Sequence, residues 1–263
     1  MAIEHGTIGS DDAELDPQLV DFLQRVQESA MPALETMSPP AAREAYVEGV
    51  RLVSAEAPRI ARTTTASIDT PGGPLAATLY YPEQRSQNSP PLVLYFHGGG
   101  WSFGSIESHD NACRTLCANA TCIVASVDYR LAPEHKFPKA VHDAIWTSLW
   151  AQDNAAALGA DPGKIVLAGD SAGATLATVA AVASRDNDQP DIFRQLLIYP
   201  ATDMTMSHPS HDLFGEGFRL TRSLMVWSSV NYLRDGRDIM DPRASPLFLD
   251  DLSSLPPAIV VTA

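Results

Sequence analysis

Apolar positions along the chain fall into two periods, and the switches between them mark its elements. After Asp16-Pro17, a capping acid followed by proline at a first helical position, Leu19, Phe22, Leu23 and Val26 recur at three- and four-residue spacing and predict a helix. Ser38-Pro39-Pro40 repeats the start signal, and Ala42, Ala45, Tyr46, Val50 and Val53 form a second stripe. Two amphipathic helices ahead of any strand fit either a lid lying on another structure or N-terminal packing against the core. Residues 59–69 and 75–81 read as strands joined by the turn-rich Thr70-Pro71-Gly72-Gly73-Pro74. A polar loop, 83–89, precedes an apolar strand at 91–96. Helix and strand then alternate: a helix over 109–120, a strand over 121–127, a long helix from Pro138 to about 157, a buried strand over 164–168, a small-residue helix over 174–183 and a strand over 195–199. This rhythm predicts an α/β fold with a mostly parallel sheet, helices on both faces and ligands at the carboxyl ends of the strands. From 201 to 246 it breaks. Met204, Met206, Phe214, Phe218, Leu220, Met225 and Trp227 are scattered among polar residues, with a helix predicted over 221–233. Such an apolar insertion suits a cap that lines a substrate pocket.

Composition narrows the partners. The 263 residues can bury a large core within one domain. Eighteen basic against thirty-two acidic residues leave a net charge of −14, which disfavours nucleic acid or an anionic membrane surface. Met1-Ala2-Ile3-Glu4-His5-Gly6 has neither a basic nor an apolar leader region, and no later apolar run approaches a membrane span, so a cytoplasmic protein is expected. Cys113, Cys117 and Cys122 read as buried reduced thiols rather than a metal site, because no histidine cluster joins them at ligand spacing. No metal and no cofactor are expected.

Two glycine motifs carry the chemistry. Gly169-Asp170-Ser171-Ala172-Gly173 sits between an apolar strand and a helix, the context of a nucleophile elbow, in which a strained turn exposes a serine above the sheet edge. A side chain at Gly169 or Gly173 would collide with the strand or helix that the turn folds back upon. His97-Gly98-Gly99-Gly100-Trp101 follows another strand, and its glycines let backbone N–H groups turn outward toward a ligand. A serine hydroxyl needs a base and an oxyanion site. The N–H groups of Gly99, Gly100 and Ala172 are the expected oxyanion donors, with the positive end of the helix behind Ala172 adding a favourable field. No histidine fills the base role. In serine, acid, histidine order only His208 and His211 follow Ser171, in the expected cap and ahead of any acid on a later strand, whereas His97, His109, His135 and His142 lie upstream.

From about Tyr81 onward the chain resembles the bacterial hormone-sensitive lipase-like esterases of the α/β-hydrolase fold. His97-Gly98-Gly99-Gly100-Trp101 looks like their oxyanion motif, Gly169-Asp170-Ser171-Ala172-Gly173 like their nucleophile motif, and Asp128-Tyr129-Arg130-Leu131-Ala132-Pro133-Glu134 like a structural loop. The resemblance implies Ser171 as nucleophile, Gly99, Gly100 and Ala172 as oxyanion donors, and His97, Gly98, Gly169, Asp170 and Gly173 as motif support, with Asp128 and Arg130 structural. It also implies short-chain acyl esters as substrates, cap helices in residues 1–55, a catalytic domain over 56–263 and a cap insertion at about 201–240. Residues 255–263 resemble the strand that leads to the family's acid, yet the acid, its histidine and the closing strand and helix have no counterpart here. A fragment is therefore expected, whose triad is completed beyond Ala263, in one case by a separate C-terminal segment. A homodimer is compatible with the resemblance. The competing expectation is a non-catalytic small-molecule binder, like the gibberellin receptors that resemble these esterases but lack the histidine, or an inactive truncated chain.

Overall fold

The computed structural model describes residues 15–29, 32–84 and 88–262. Helix α1 (Pro17–Glu28) begins as its sequence requires, with the Asp16 carboxylate accepting from the Gln18 N–H. Helix α2 (Pro39–Val53) also starts on proline, although the Ser38 hydroxyl makes no capping bond. The strands are β1 (Arg62–Ile68), β2 (Leu75–Tyr81), β3 (Leu92–Phe96), β4 (Ile123–Val127), β5 (Ile165–Asp170), β6 (Ile192–Ile198) and β7 (Ala258–Val261). Between them run α3 (Asp110–Ala120), α4 (Lys139–Leu158), α5 (Ala172–Asn187), α6 (Ser210–Leu213) and α7 (Arg222–Tyr232).

The strands form one sheet in the order β1-β2-β4-β3-β5-β6-β7. β2 pairs antiparallel with both β1 and β4, and the remaining pairs are parallel. Period-two alternation divides its faces. Leu92, Leu94 and Phe96 of β3 join Val127, Leu167 and the small-residue face of α5 in one core, while Val93 and Tyr95 join Val124, Ala168 and α3 in another. The three cysteines lie in this second core as free thiols, and burial pushes Cys113 and Cys122 up to about 12. They are packing groups, as expected. No helix among the described residues is long and apolar enough to cross a membrane.

Several boundaries depart from the expectations. The helix predicted over 174–183 extends over Ala172–Asn187, and His208-Pro209 leads into the single turn of α6, which the sequence pattern does not predict. β6 begins at Ile192 rather than at 195, because a bulge opposite Ile165 and Val166 turns Phe193 outward and breaks the alternation that would mark the strand.

The loop after β4 is fastened from beneath. Asp143, fully buried on α4, accepts from the Arg130 backbone N–H at 2.9 Å and from its guanidinium, and Arg130 also donates to the Gly72 carbonyl at 3.1 Å. Removing one partner of a buried pair strands the other charge, which costs about 3–5 kcal/mol, whereas replacing both by apolar groups can be nearly neutral. Arg130→Ala is therefore expected to lower the unfolding free energy obtained from urea titration by about 3–5 kcal/mol. The double variant Arg130→Met with Asp143→Leu should recover most of the loss.

Candidate active site

The loops after β3 and β5 leave adjacent parallel strands, with Phe96 and Gly169 as register partners, so both motifs emerge at the same level of the sheet. Ser171 occupies the turn itself, at φ 51° and ψ −120°. This conformation is rare for a residue with a side chain and costs about 1–3 kcal/mol. The turn is held by the Ser171 N–H donating to the Ile198 carbonyl at 2.9 Å and by the Thr175 hydroxyl donating to the Ala201 carbonyl at 2.6 Å. Close approach dictates the flanking glycines: a Cβ on Gly173 would overlap the Phe96 carbonyl, and one on Gly169 would lie 2.5 Å from it. Ser171 remains half-buried.

Facing it, residues 98–104 form a tight turn. Gly99 and Gly100 take φ of 118° and 54°, and the N–H groups of Ser102 and Phe103 both donate to the Gly99 carbonyl at 3.0 Å. The N–H groups of Gly99, Gly100 and Ala172 have no acceptor among the described residues. The Gly98 N–H, in contrast, donates to Asp170 Oδ1 at 3.0 Å. That bond ties the glycine loop to the residue preceding Ser171.

Asp170 is nearly buried. Burial alone would raise its pKa, but hydrogen bonds from His109 and Tyr95 reverse the shift and hold it below the usual carboxylate range. The Tyr95 hydroxyl donates at 2.9 Å, and His109 Nε2 lies 3.3 Å from Oδ1. His97 is the opposite case. Complete burial, followed by the charge of His109, lowers it to about 3, so the ring is neutral. Its Nδ1 lies 2.8 Å from the Gly98 carbonyl and donates to it, the ring stacks on Tyr129 at 4.3 Å, and the Tyr129 hydroxyl donates to the His97 carbonyl at 2.7 Å.

Groups from both ends of the chain meet above this loop. Phe103 packs at a tilt against Tyr46 of α2 at 4.9 Å and Trp227 of α7 at 6.2 Å, while Trp101 lies parallel to Tyr232 at 4.3 Å. Every expected site residue is thus in one neighbourhood: Ser171 and Ala172 on the elbow, Gly98, Gly99 and Gly100 in the facing turn, and His97, Asp170, Gly169 and Gly173 beneath. No described residue hydrogen bonds the Ser171 hydroxyl. His208 is exposed and lies 3.4 Å from Asp203. No group of three or more metal-ligating side chains occurs among the described residues. Sequence reasoning missed His109 and Tyr95 as partners of Asp170. His109 reaches across 61 positions, and neither spacing nor motif announces the bond.

Comparison with known proteins identifies the family of the chain. The profile of the alpha/beta hydrolase fold family covers residues 93–263. The carboxylic ester hydrolase LipN of Mycobacterium tuberculosis is 42% identical over 206 residues, which are 76% of this chain and 54% of that protein. The ethyl acetate hydrolase of Pseudomonas putida is 35% identical, over 95% of this chain and 80% of its own length. A hyperthermophilic esterase from Pyrobaculum calidifontis superposes with a TM-score of 0.88 at 41% identity, covering 94% of this chain and 79% of that one. The chain spans 54% and 61% of two of the curated relatives it matches. With the strand order, the strained serine and the facing glycine turn all in register, the chain belongs to the alpha/beta hydrolase fold family, in its bacterial hormone-sensitive lipase-like branch.

Proposed function

We propose that the protein is a serine carboxylic ester hydrolase acting on short-chain acyl esters. The observation that carries this reading is the set of three backbone N–H groups, at Gly99, Gly100 and Ala172, left without acceptors beside a strained serine. Buried amide hydrogens are almost always paired, so such a set without partners on two adjacent loops favours a ligand oxygen as their acceptor. The relatives named as ester hydrolases support the same chemistry.

In this mechanism Ser171 Oγ attacks the ester carbonyl and the carbonyl oxygen takes the negative charge. The N–H groups of Gly99, Gly100 and Ala172 stabilise that oxyanion, and the N-terminal end of α5 adds a positive field. Collapse expels the alcohol and leaves Ser171 acylated, after which water releases the acid. Helices α1 and α2 and residues 201–240 form the cap, with Tyr46, Phe103 and Trp227 along its underside. A general base is required, and no described histidine contacts Ser171. The reading therefore leaves the base and its acid outside the described residues.

The test pairs covalent capture with turnover. In protein that carries its triad base, an aryl alkylphosphonate should modify one residue, Ser171, seen as a mass increment on its peptide, and Ser171→Ala should remain unmodified. Equal modification of Ser171→Ala would remove the nucleophile assignment. Loss of the triad base lowers kcat on the order of 10⁶-fold. The 263-residue species alone is accordingly expected to hydrolyse p-nitrophenyl acetate and butyrate near background, and efficient turnover by it would show that the base lies among its own residues.

A further inference from the structure

His109 belongs to none of the motifs, yet its side chain ends at the carboxylate beside the nucleophile. It is buried at the N-terminal end of α3, its ring stacked 6.4 Å from that of Tyr46 and tilted 5.4 Å from that of His97. Its two nitrogens have different surroundings. Nδ1 lies 2.8 Å from the Ser108 hydroxyl, which accepts from the Ser105 N–H and can donate to the Ser105 carbonyl at 3.0 Å. Among the described residues the hydrogen-bond partner of Nε2 is Asp170, 3.3 Å from Oδ1 and 3.4 Å from Oδ2.

Hydrogen accounting then fixes the direction of the bond. An ionised carboxylate accepts only, so Nε2 must carry its hydrogen, and Nδ1 can either accept from or donate to the Ser105-Ser108 turn. The donation to Asp170 holds in both protonation states of the ring. Asp170 in turn has no freedom to move. Its Oδ1 receives the Tyr95 hydroxyl and the Gly98 N–H, and its Oδ2 packs against the Gly98 α-carbon so closely that any Cβ there would overlap it. Moving the carboxylate therefore moves Gly98, and Gly98 is joined directly to Gly99.

We propose that His109 is a positioning residue for the glycine turn: by anchoring Asp170 it fixes the Gly98 N–H on the carboxylate and leaves the N–H groups of Gly99 and Gly100 presented toward Ser171. The catalytic part of this inference rests on the ester-hydrolase reading, whereas the anchoring itself does not. Tyr95 supplies a second donor from β3, but it bonds Oδ1 alone, whereas His109, at the start of α3, lies within reach of both carboxylate oxygens. In His109→Leu the volume is roughly kept and the donor lost, so Asp170 tilts. His109→Gln keeps a side-chain N–H of similar reach.

The experiment has two readouts on the same variants. Hydrogen exchange of the Gly98 amide, followed by ¹⁵N NMR, is expected to accelerate at least about tenfold in His109→Leu and to stay within about threefold of wild type in His109→Gln, because exchange follows the local opening equilibrium. Unchanged Gly98 exchange in His109→Leu would overturn the proposal even if the protein shows no esterase activity. Phosphonate capture of Ser171 should slow on the order of 10² in His109→Leu, the size of losing one oxyanion donor, with the half-saturating phosphonate concentration unchanged and the rate largely restored in His109→Gln. A capture rate that does not change while Gly98 exchange accelerates would refute the link from anchor to oxyanion site. If wild type carrying its triad base is not captured at Ser171, the ester-hydrolase reading fails and the exchange result alone decides the anchor. Thermal unfolding of both variants separates these effects from global loss of structure. Acceleration of amides throughout β3 and β5, rather than at Gly98 and its neighbours, would assign His109 a merely stabilising role.

Discussion

Backbone packed directly on backbone is the constraint on which the site depends. At the top of the sheet the elbow after β5 lies against the carbonyls of Phe96 and His97, with the α-carbons of Gly169 and Gly173 in the gap. Because Phe96 and Gly169 are register partners, both loops leave the sheet at one height, and the elbow amide of Ala172 can face the amides of Gly99 and Gly100. Oxyanion donors work at about 2.7–3.1 Å, so the tolerance is a few tenths of an ångström. A single methyl group between elbow and strand would exceed it. The small-residue face of α5 continues the same logic below, where Ala174, Ala177 and Ala181 bring the helix close to the sheet.

This proximity places a carboxylate in the interior, which would cost several kcal/mol if left unpaired. Asp170 instead collects donors from three directions: the Tyr95 hydroxyl from the sheet, the Gly98 N–H from the turn and His109 from α3. Its neighbour His97 is kept neutral by burial. Charge is thus concentrated on one group whose partners all belong to the walls of the site. The fold thereby turns a desolvation cost into a directional hold on the loop, since a charge-assisted bond is roughly twice as strong as a neutral one.

What could be read from the sequence was local. The strand, Gly169-Asp170-Ser171-Ala172-Gly173 and the following helix announce themselves because turn strain and close approach leave glycine as the workable residue at fixed offsets. Helix starts at Asp16-Pro17 and Ser38-Pro39 were equally plain. The start of β6 was hidden because a bulge exposes Phe193, and α6 because one turn is too short to show a period. The polar struts of the site were invisible for a different reason. His109 meets Asp170 across 61 positions and Arg43 meets Ser102 across 59, and sequence spacing does not encode such distances.

Three consecutive glycines would ordinarily signal slack, yet the turn after β3 is gripped on every side. From below, Gly98 bonds Asp170 and His97 is held by the Tyr129 hydroxyl. From above, Arg43 of α2 donates to the Ser102 carbonyl at 2.9 Å while also bonding the Ala132 carbonyl and Glu134, and Ser228 of α7 fills the space that a side chain on Gly100 would need. A buried amide hydrogen without an acceptor costs about 1–3 kcal/mol, and a free loop would relax by rotating such groups toward water or carbonyls. Grips on the residues before and after Gly99 and Gly100 block that relaxation. The glycines therefore supply positive φ and close approach rather than mobility, and the rigidity of the turn comes from side chains contributed by α2, α3 and α7.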